Sequence, residues 1–467
     1  MKKIQKAFII ISLAIIALPL VGMLFYATNV TTENRAMKSF PSVRSEEGGV
    51  NLKFFNEFEE YFSDHFAFRN ELIYLDSRVQ GDVFQVSSVD NVIKGSKGWL
   101  FYKSTLNDYL GTNKMTAREI YNSAHNIELV EKYVKSKGKK FVFTVPANKN
   151  TLYKDNMPYY YQNVVDQRHN IEDLKSRLEE MSVTYADLID AFQKEDEVLY
   201  LKKDSHWNNK GALLAYNTML DTIGERHDDY SAITPVRAAD EPGDLNKMAY
   251  TLYGEKELNY KYGLEETYEY KGDFKSVEDG WIETECASGS GTILMFRDSF
   301  GNTLIPFFSG QFNRAFYTKE QPYGVEKLVE ENNPDVVVVE LVERNLRYLI
   351  NMPPVTAPIK MDEQVSWNGA EVLETETTLE LGAYSYDSDY YSISGEVPAE
   401  LLEDSTNIIV EISGKQYYAF HKGENGYELC VKKEDLKDFP INIKVYLLKS
   451  GIIEQIKSDV FSEGDLD

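Results

Sequence analysis

The sequence predicts an α/β protein. A parallel sheet flanked by helices forms its body, with an N-terminal transmembrane helix and a small C-terminal β-sandwich-like domain. Three observations carry this prediction. Residues 7–27 form an uncharged apolar run, the middle of the chain alternates helical patterns with continuous apolar runs, and the last part holds only short alternating runs.

The length of 467 residues suits two or three domains at about 150 residues each. Lys and Arg total 50 against 75 for Asp and Glu, a net charge of −25. No basic stripe follows the first six residues, so nucleic acid is excluded as a partner. The two cysteines, Cys286 and Cys430, form no C-x-x-C pair and cannot make a disulfide scaffold; one bridge between them stays open in an exported chain. Aromatic residues reach 13% with 32 tyrosines, which fits sugar-facing platforms or large cores, and core packing is favoured.

Lys2, Lys3 and Lys6 precede the apolar run. Its 21 residues would span about 30 Å as a helix, the thickness of a bilayer's hydrocarbon layer. The run ends in Gly-Met-Leu-Phe-Tyr-Ala-Thr-Asn, a poor cleavage site, so an uncleaved anchor is favoured over a removed signal peptide. Lysines before the run place residues 1–28 as a cytoplasmic stub and anchor, with the bulk of the chain extracellular.

Residues 29–87 read as an extracellular lead segment. Within it Phe54, Phe55, Phe58, Tyr61 and Phe62 recur at helical spacing, and Asp64-His65-Phe66 ends that helix with His65 structural.

Residues 88–355 read as an α/β domain, the one that holds the chemistry-bearing motifs given below. Thr116-Ala117-Arg118-Glu119 is a capping box, and Ile120, Ala124, Ile127, Val130 and Val134 mark a buried helical face closed by Gly138. Phe141-Val142-Phe143-Thr144-Val145 is a strand stopped by Pro146. A second strand is Thr292-Ile293-Leu294-Met295-Phe296, then a helix over 323–331, then the apolar run from Val336 to Val342. Runs buried on both faces belong to parallel sheets, and ligands sit beyond the carboxyl ends of such strands. Asn148, Asp298-Ser299 and Glu343-Arg344 stand there.

Residues 356–467 read as a β-rich accessory domain, with alternating runs such as 407–412 and 441–446. Tyr384, Tyr386, Tyr390 and Tyr391 suit a sugar-stacking surface or a small aromatic core.

The chemistry concentrates in Asp204-Ser205-His206-Trp207 and Asp298-Ser299-Phe300-Gly301. Serine needs a base to take its proton, and the base needs an orienting group. In a bent loop between a strand at 198–201 and a helix from about Asn208, Asp204 can reach the Nδ1 of His206 and leave Nε2 free. Trp207 would wall the site, and the Ser299 amide could serve an oxyanion hole. A histidine at the start of a helix with Asp204 as its cap is an equally open reading of the first motif. Asp and His also bind zinc, but none of the other histidines stands at ligand spacing, so no metal and no cofactor are predicted. The chain has no G-x-S-x-G elbow, which argues against an ordinary α/β-hydrolase.

From about residue 33 to 349 the chain resembles the SGNH-hydrolase-like DHHW family, which includes the alginate O-acetyltransferases. Matching pieces are Glu33-Asn34-Arg35, Asp64-His65-Phe66-Ala67-Phe68-Arg69 and Lys97-Gly98-Trp99-Leu100-Phe101-Tyr102. Then follow Val145-Pro146 with Lys149, Asp204-Ser205-His206-Trp207, Gly243-Asp244-Leu245, Arg297-Asp298-Ser299-Phe300 and Glu343-Arg344. The resemblance implies Ser299 as nucleophile, His206 as base and Asp204 as its orienting acid. Arg297 stands where glycine is common, which predicts a tighter or more cationic approach to the serine. Ser205 replaces His or Thr, and its side chain is expected to point away from the triad. Asn148, Arg297, Arg344 and Trp207 are the oxyanion or substrate-binding candidates; a strand-end cap or an ion pair with Glu340 or Glu343 is the alternative for Asn148 and Arg344.

The implied activity is O-acetyl transfer to a cell-surface or secreted polysaccharide through an acetyl-serine, with acetyl groups supplied by a membrane-bound O-acyltransferase. A polysaccharide deacetylase with the same triad and a non-catalytic polysaccharide-binding assembly protein are the alternatives. The acidity of the exported part favours a neutral polymer, unless a local cationic site around Arg297 and Arg344 overrides it.

Overall fold

The computed structural model describes residues 3–23, 25–26, 37–45, 48–250, 256–361 and 371–466. Seven strands build the central sheet: β1 (Lys140–Thr144), β2 (Tyr185–Ala186), β3 (Glu269–Lys271), β4 (Trp281–Glu285), β5 (Thr292–Phe296), β6 (Arg314–Thr318) and β7 (Val336–Glu340). Their order is β2-β1-β7-β5-β6-β4-β3. Strands β2, β1, β7, β5 and β6 pair in parallel, while β4 and β3 extend the sheet antiparallel from the β6 edge.

Residue alternation explains why the sheet is covered twice. Val336 and Val338 of β7 face the same side as Ile293 and Met295 of β5, against α6 (Asn209–Thr222) and α7 (Ile305–Gln311). Val337 and Val339 face the other side, against α4 (Ala117–Ser136), α5 (Asn170–Glu180) and α8 (Val325–Asn332). All four valines are fully buried, and each such side chain contributes roughly 1.5–3 kcal/mol over exposure. The capping box that opens α4 is formed: Glu119 N–H donates to Thr116 Oγ1 at 3.1 Å and Thr116 N–H to Glu119 Oε2 at 2.9 Å. Past its end, Gly138 takes the left-handed conformation.

One predicted strand is absent. Residues 198–201 make only a bridge between Tyr200 and Trp207, within a tight hairpin in which Leu201 N–H donates to His206 O and Asn208 N–H to Leu199 O. The hairpin closes around residues 202–206, the loop that carries Asp204 and His206.

At the N-terminus, α1 (Lys3–Gly22) is a helix whose Phe8, Ile10 and Ile16 are exposed. Among the described residues no helix is long and apolar enough to cross a membrane. The part of α1 beyond Lys6 runs to Gly22 and rises about 24 Å, less than the predicted run over 7–27 would reach. Residues 27–36, with the end of that run and the Glu33-Asn34-Arg35 motif, lie outside the described residues. Next come α2 (Phe54–His65) and α3 (Arg69–Arg78), the latter not read from the sequence. His65 is structural: its ring stacks on Tyr61 and its Nδ1 faces the Tyr61 carbonyl at 2.9 Å.

The C-terminal part packs a six-stranded sheet against a four-stranded one, with Ile393, Ile408, Val410, Leu429, Ile443 and Val445 between them. Residues 362–370, including Ser366, lie outside the described residues. Contacts with the α/β body are specific. Asn126 of α4 donates to the carbonyls of Leu349 and His421 and accepts from His421 N–H, all at 2.8 Å. Of the four tyrosines considered for a sugar surface, Tyr384 and Tyr390 are buried and Tyr391 is half-buried under Lys433. Only Tyr386 is exposed, so no flat aromatic platform forms from the set. Cys286 and Cys430 are both free and buried.

Candidate active site

Three segments meet at the carboxyl edge of the sheet. The hairpin brings the 202–206 loop, the turn after β5 brings Ser299, and the segment after β7 brings Glu343 and Arg344. Asn208 caps α6 by accepting from the N–H groups of Lys210 and Gly211, both at 3.0 Å, which fixes the chain just after His206. Ser299 precedes a 3-10 turn over Phe300–Leu304 that runs into α7. Asp298 anchors that turn, its carboxylate accepting from Phe300 N–H at 2.9 Å and Val342 N–H at 2.8 Å.

Asp204, His206 and Ser299 form one continuous hydrogen-bonded line. His206 Nδ1 donates to Asp204 Oδ1 at 2.7 Å, and His206 Nε2 lies 2.9 Å from Ser299 Oγ. Asp204 Oδ1 also accepts His206 N–H at 2.9 Å and its Oδ2 accepts Asp244 N–H at 2.8 Å. The carboxylate therefore fixes the tautomer with the proton on Nδ1 and leaves Nε2 facing the serine.

Electrostatics follow from burial and these partners. Burial works to lower the His206 imidazole, but the Asp204 hydrogen bond and charge, with Asp244 behind, raise it above its ordinary value. Burial would raise Asp204, yet its bond to His206 holds it well below the usual carboxylate range. Under the loop lies Lys149, fully enclosed, its Nζ donating to the carbonyls of Leu201 and Lys202 at 3.1 Å and Asp204 at 2.5 Å. Burial pulls this ammonium down to about 8, with Asp204, Asp244 and Glu257 opposing.

Gly243 is the place where Asp244 enters. It has φ +72°, and a Cβ there would lie 2.3 Å from the Lys203 carbonyl oxygen. Gly243→Ala is expected to lower stability by about 1–3 kcal/mol, because relief of the clash displaces the loop carrying Asp204. Thermal melting checks this; an unchanged melting temperature would refute it.

The remaining predicted residues fall differently. Trp207 is fully buried and donates from Nε1 to Thr303 Oγ1; it stands behind Phe300, and it is the Phe300 ring, 4.8 Å from the imidazole, that walls His206. Arg297 is also buried, its guanidinium engaged by the carbonyls of Val277, Asp279 and Asp298 and by Asn302. It clamps the loop before β4 onto the serine turn and does not line the approach to Ser299. Asn148 is buried, its N–H donating to Glu343 Oε2 at 2.7 Å and its Nδ2 to Asp108 Oδ2 at 3.1 Å. Neither predicted ion pair forms: Arg344 is half-buried, lies over the Phe300 and Tyr102 rings, and makes no hydrogen bond or ion pair among the described residues. Ser205 does not point away, since its Oγ lies 3.3 Å from His206 Nδ1. Asp244 is the functional neighbour that sequence reasoning does not assign, although it lies in the Gly243-Asp244-Leu245 motif. Only the Gly-Asp pair hints at a tight turn presenting a carboxylate.

Asp204, His206 and Asp244 bring one metal-ligating atom each within 4.8 Å of one another. However, Nδ1 is committed as a donor and both Asp204 oxygens accept N–H groups, so the set is organised around protons.

The doubly covered α/β sheet thus carries this hydrogen-bonded line at its carboxyl edge. Residues 92–280 match the SGNH hydrolase-like domain of the acetyltransferase AlgX. The match takes in Asp204 and His206 and ends before Ser299. No curated protein matches the chain. Among solved structures, PatB1 of Bacillus cereus is 18% identical with a TM-score of 0.43, over 55% of this chain and 98% of that one. A DHHW family protein from Eubacterium siraeum is 15% identical, TM-score 0.41, over 55% and 94%. AlgX of Pseudomonas aeruginosa is 12% identical, TM-score 0.36, over 80% and 91%.

Proposed function

We propose that this protein is a membrane-anchored extracellular O-acetyltransferase that acts on a polysaccharide through Ser299, His206 and Asp204. The observation that carries the reading is the 2.9 Å contact between Ser299 Oγ and a His206 Nε2 whose other nitrogen is held by Asp204. His206 Nε2 takes the Ser299 proton as Oγ attacks the acetyl carbonyl. The tetrahedral intermediate collapses to acetyl-Ser299, and His206 returns the proton to the leaving group. A polysaccharide hydroxyl then enters, loses its proton to Nε2 and takes the acetyl group, and Ser299 regains its proton. The Ser299 amide and Arg344, free of other polar partners among the described residues, are the donors for the oxyanion.

The AlgX-type match over 92–280 supports transfer over a purely structural role. Anchoring by the N-terminal apolar run, an acetyl supply from a membrane-bound O-acyltransferase and an extracellular location complete the reading. The exported chain's acidity favours a neutral acceptor. Incubating the protein with an aryl acetate and a panel of unmodified polysaccharides tests it. Acetylated polymer supports transfer, whereas free acetate alone, together with deacetylation of an acetylated polymer, would establish the hydrolase instead.

The base works only when neutral, and its conjugate acid is stabilised by two carboxylates. The rate of aryl-acetate hydrolysis should therefore fall on acidification with a midpoint above the ordinary imidazole value of about 6.5. The same raised value means that this interaction contributes stability below about pH 6.5 and loses it as pH rises through the folded-state value. A midpoint at or below that of free imidazole would contradict the assignment.

A further inference from the structure

Asp244 stands against the triad from a separate element. Its carboxylate is tied in on both oxygens: Oδ1 accepts Ser205 N–H at 2.7 Å and Oδ2 accepts the Ser205 hydroxyl at 2.5 Å. Its backbone N–H holds the outer oxygen of Asp204. Ser205 Oγ lies 3.3 Å and Asp244 Oδ2 3.8 Å from His206 Nδ1, the nitrogen that Asp204 already engages. One imidazole edge thus faces two carboxylates with a hydroxyl between them.

We infer that Asp244 is a positioning residue for the reaction, a second carboxylate that acts through Ser205 to hold Asp204 in register and to stabilise charged His206 during proton transfer. This rests on the triad reading above. Other charged groups face the cluster too. Arg344 opposes the imidazolium from the segment after β7, and Glu278 acts on it from the loop before β4. Lys149 lies beneath, and Glu257 accepts the N–H groups of Lys202 and Lys203. Of these, only Asp204 and Asp244 bring a carboxylate within 4 Å of Nδ1. Asp244 itself is pushed up by burial and then by the charge of Asp204, the expected mark of two carboxylates sharing one site.

Asp244→Asn keeps an acceptor for Ser205 and removes the charge. It should move the acid limb of aryl-acetate hydrolysis to lower pH, since the imidazolium loses a stabilising carboxylate. It should also lower plateau kcat/KM about tenfold, with KM little changed. Asp244→Glu, which restores the charge, should move the limb back toward wild type. Ser205→Ala, with the charge kept and the bridge removed, should shift the limb less than Asp244→Asn. An NMR titration of His206 in Asp244→Asn reads the same shift without turnover. An unmoved limb and an unmoved His206 titration in a folded Asp244→Asn protein would overturn the inference. Parallel Ser299→Ala and His206→Ala proteins keep the two readings apart. If both are inactive while Asp244→Asn titrates as wild type, only the role of Asp244 fails; if they remain active, the triad itself fails.

Discussion

Replacing Ser299 with alanine is expected to remove acetyl-enzyme formation and to lower aryl-acetate hydrolysis by roughly 10⁴–10⁶-fold. Ser299 supplies the only hydroxyl hydrogen-bonded to His206 Nε2 among the described residues, so no neighbouring group inherits the attack. What remains is the catalysis that oxyanion donors and binding provide to water. The fold should be indifferent, because the side chain is half-exposed and gives up a single hydrogen bond, worth about 1 kcal/mol. A melting temperature close to wild type with activity lost would identify a chemical effect. Wild-type turnover by a folded Ser299→Ala protein would show that Ser299 is not the nucleophile.

The second large effect is Asp204→Asn, for which a loss of about 10⁴-fold in kcat is expected. The amide matches the carboxylate in shape, but its Nδ2 is a donor. Turned toward His206 Nδ1, it stabilises the tautomer whose proton sits on Nε2, and the base is then blocked where Ser299 waits. The amide also has to accept from Asp244 N–H and His206 N–H, which today meet two carboxylate oxygens. Single-turnover acetylation measured across pH checks this: the loss should persist at alkaline pH, where a simple shift in the His206 titration would recover. Recovery at high pH would show that Asp204 acts only through charge.

Much of this arrangement is legible in the chain because it is local. The Thr116 and Glu119 capping box, the valine run of β7 and the Asp-x-His spacing each depend on residues within a turn or a strand of one another. Ser299 is readable because Arg297-Asp298-Ser299 follows directly on a buried apolar strand and so stands at the sheet edge. What escapes sequence reasoning is set by chain segments that meet only after folding. Asp244 reaches Ser205 across a separate loop, and the Lys203 carbonyl against Gly243 fixes that approach. Arg297 reads as a cation beside the serine, yet three carbonyls and Asn302 take its guanidinium inward. Phe300 in place of Trp207 as the wall of the imidazole follows from the direction in which the 3-10 turn leaves Ser299. Among the described residues Arg344 is left without an ion pair, because Glu343 is consumed by Asn148 N–H and the Thr151 hydroxyl, and burial pushes Glu343 up to about 8.

The proposed chemistry turns on a covalent acetyl-serine at position 299. Intact-protein and peptide mass spectrometry after rapid mixing with an aryl acetate tests it most directly. An acetyl adduct is expected that is confined to the peptide containing Ser299, absent from Ser299→Ala and His206→Ala, and discharged when an acceptor polysaccharide is added. An adduct on another residue, or turnover with no acetyl-enzyme under conditions that trap it, would rule out Ser299 as the nucleophile.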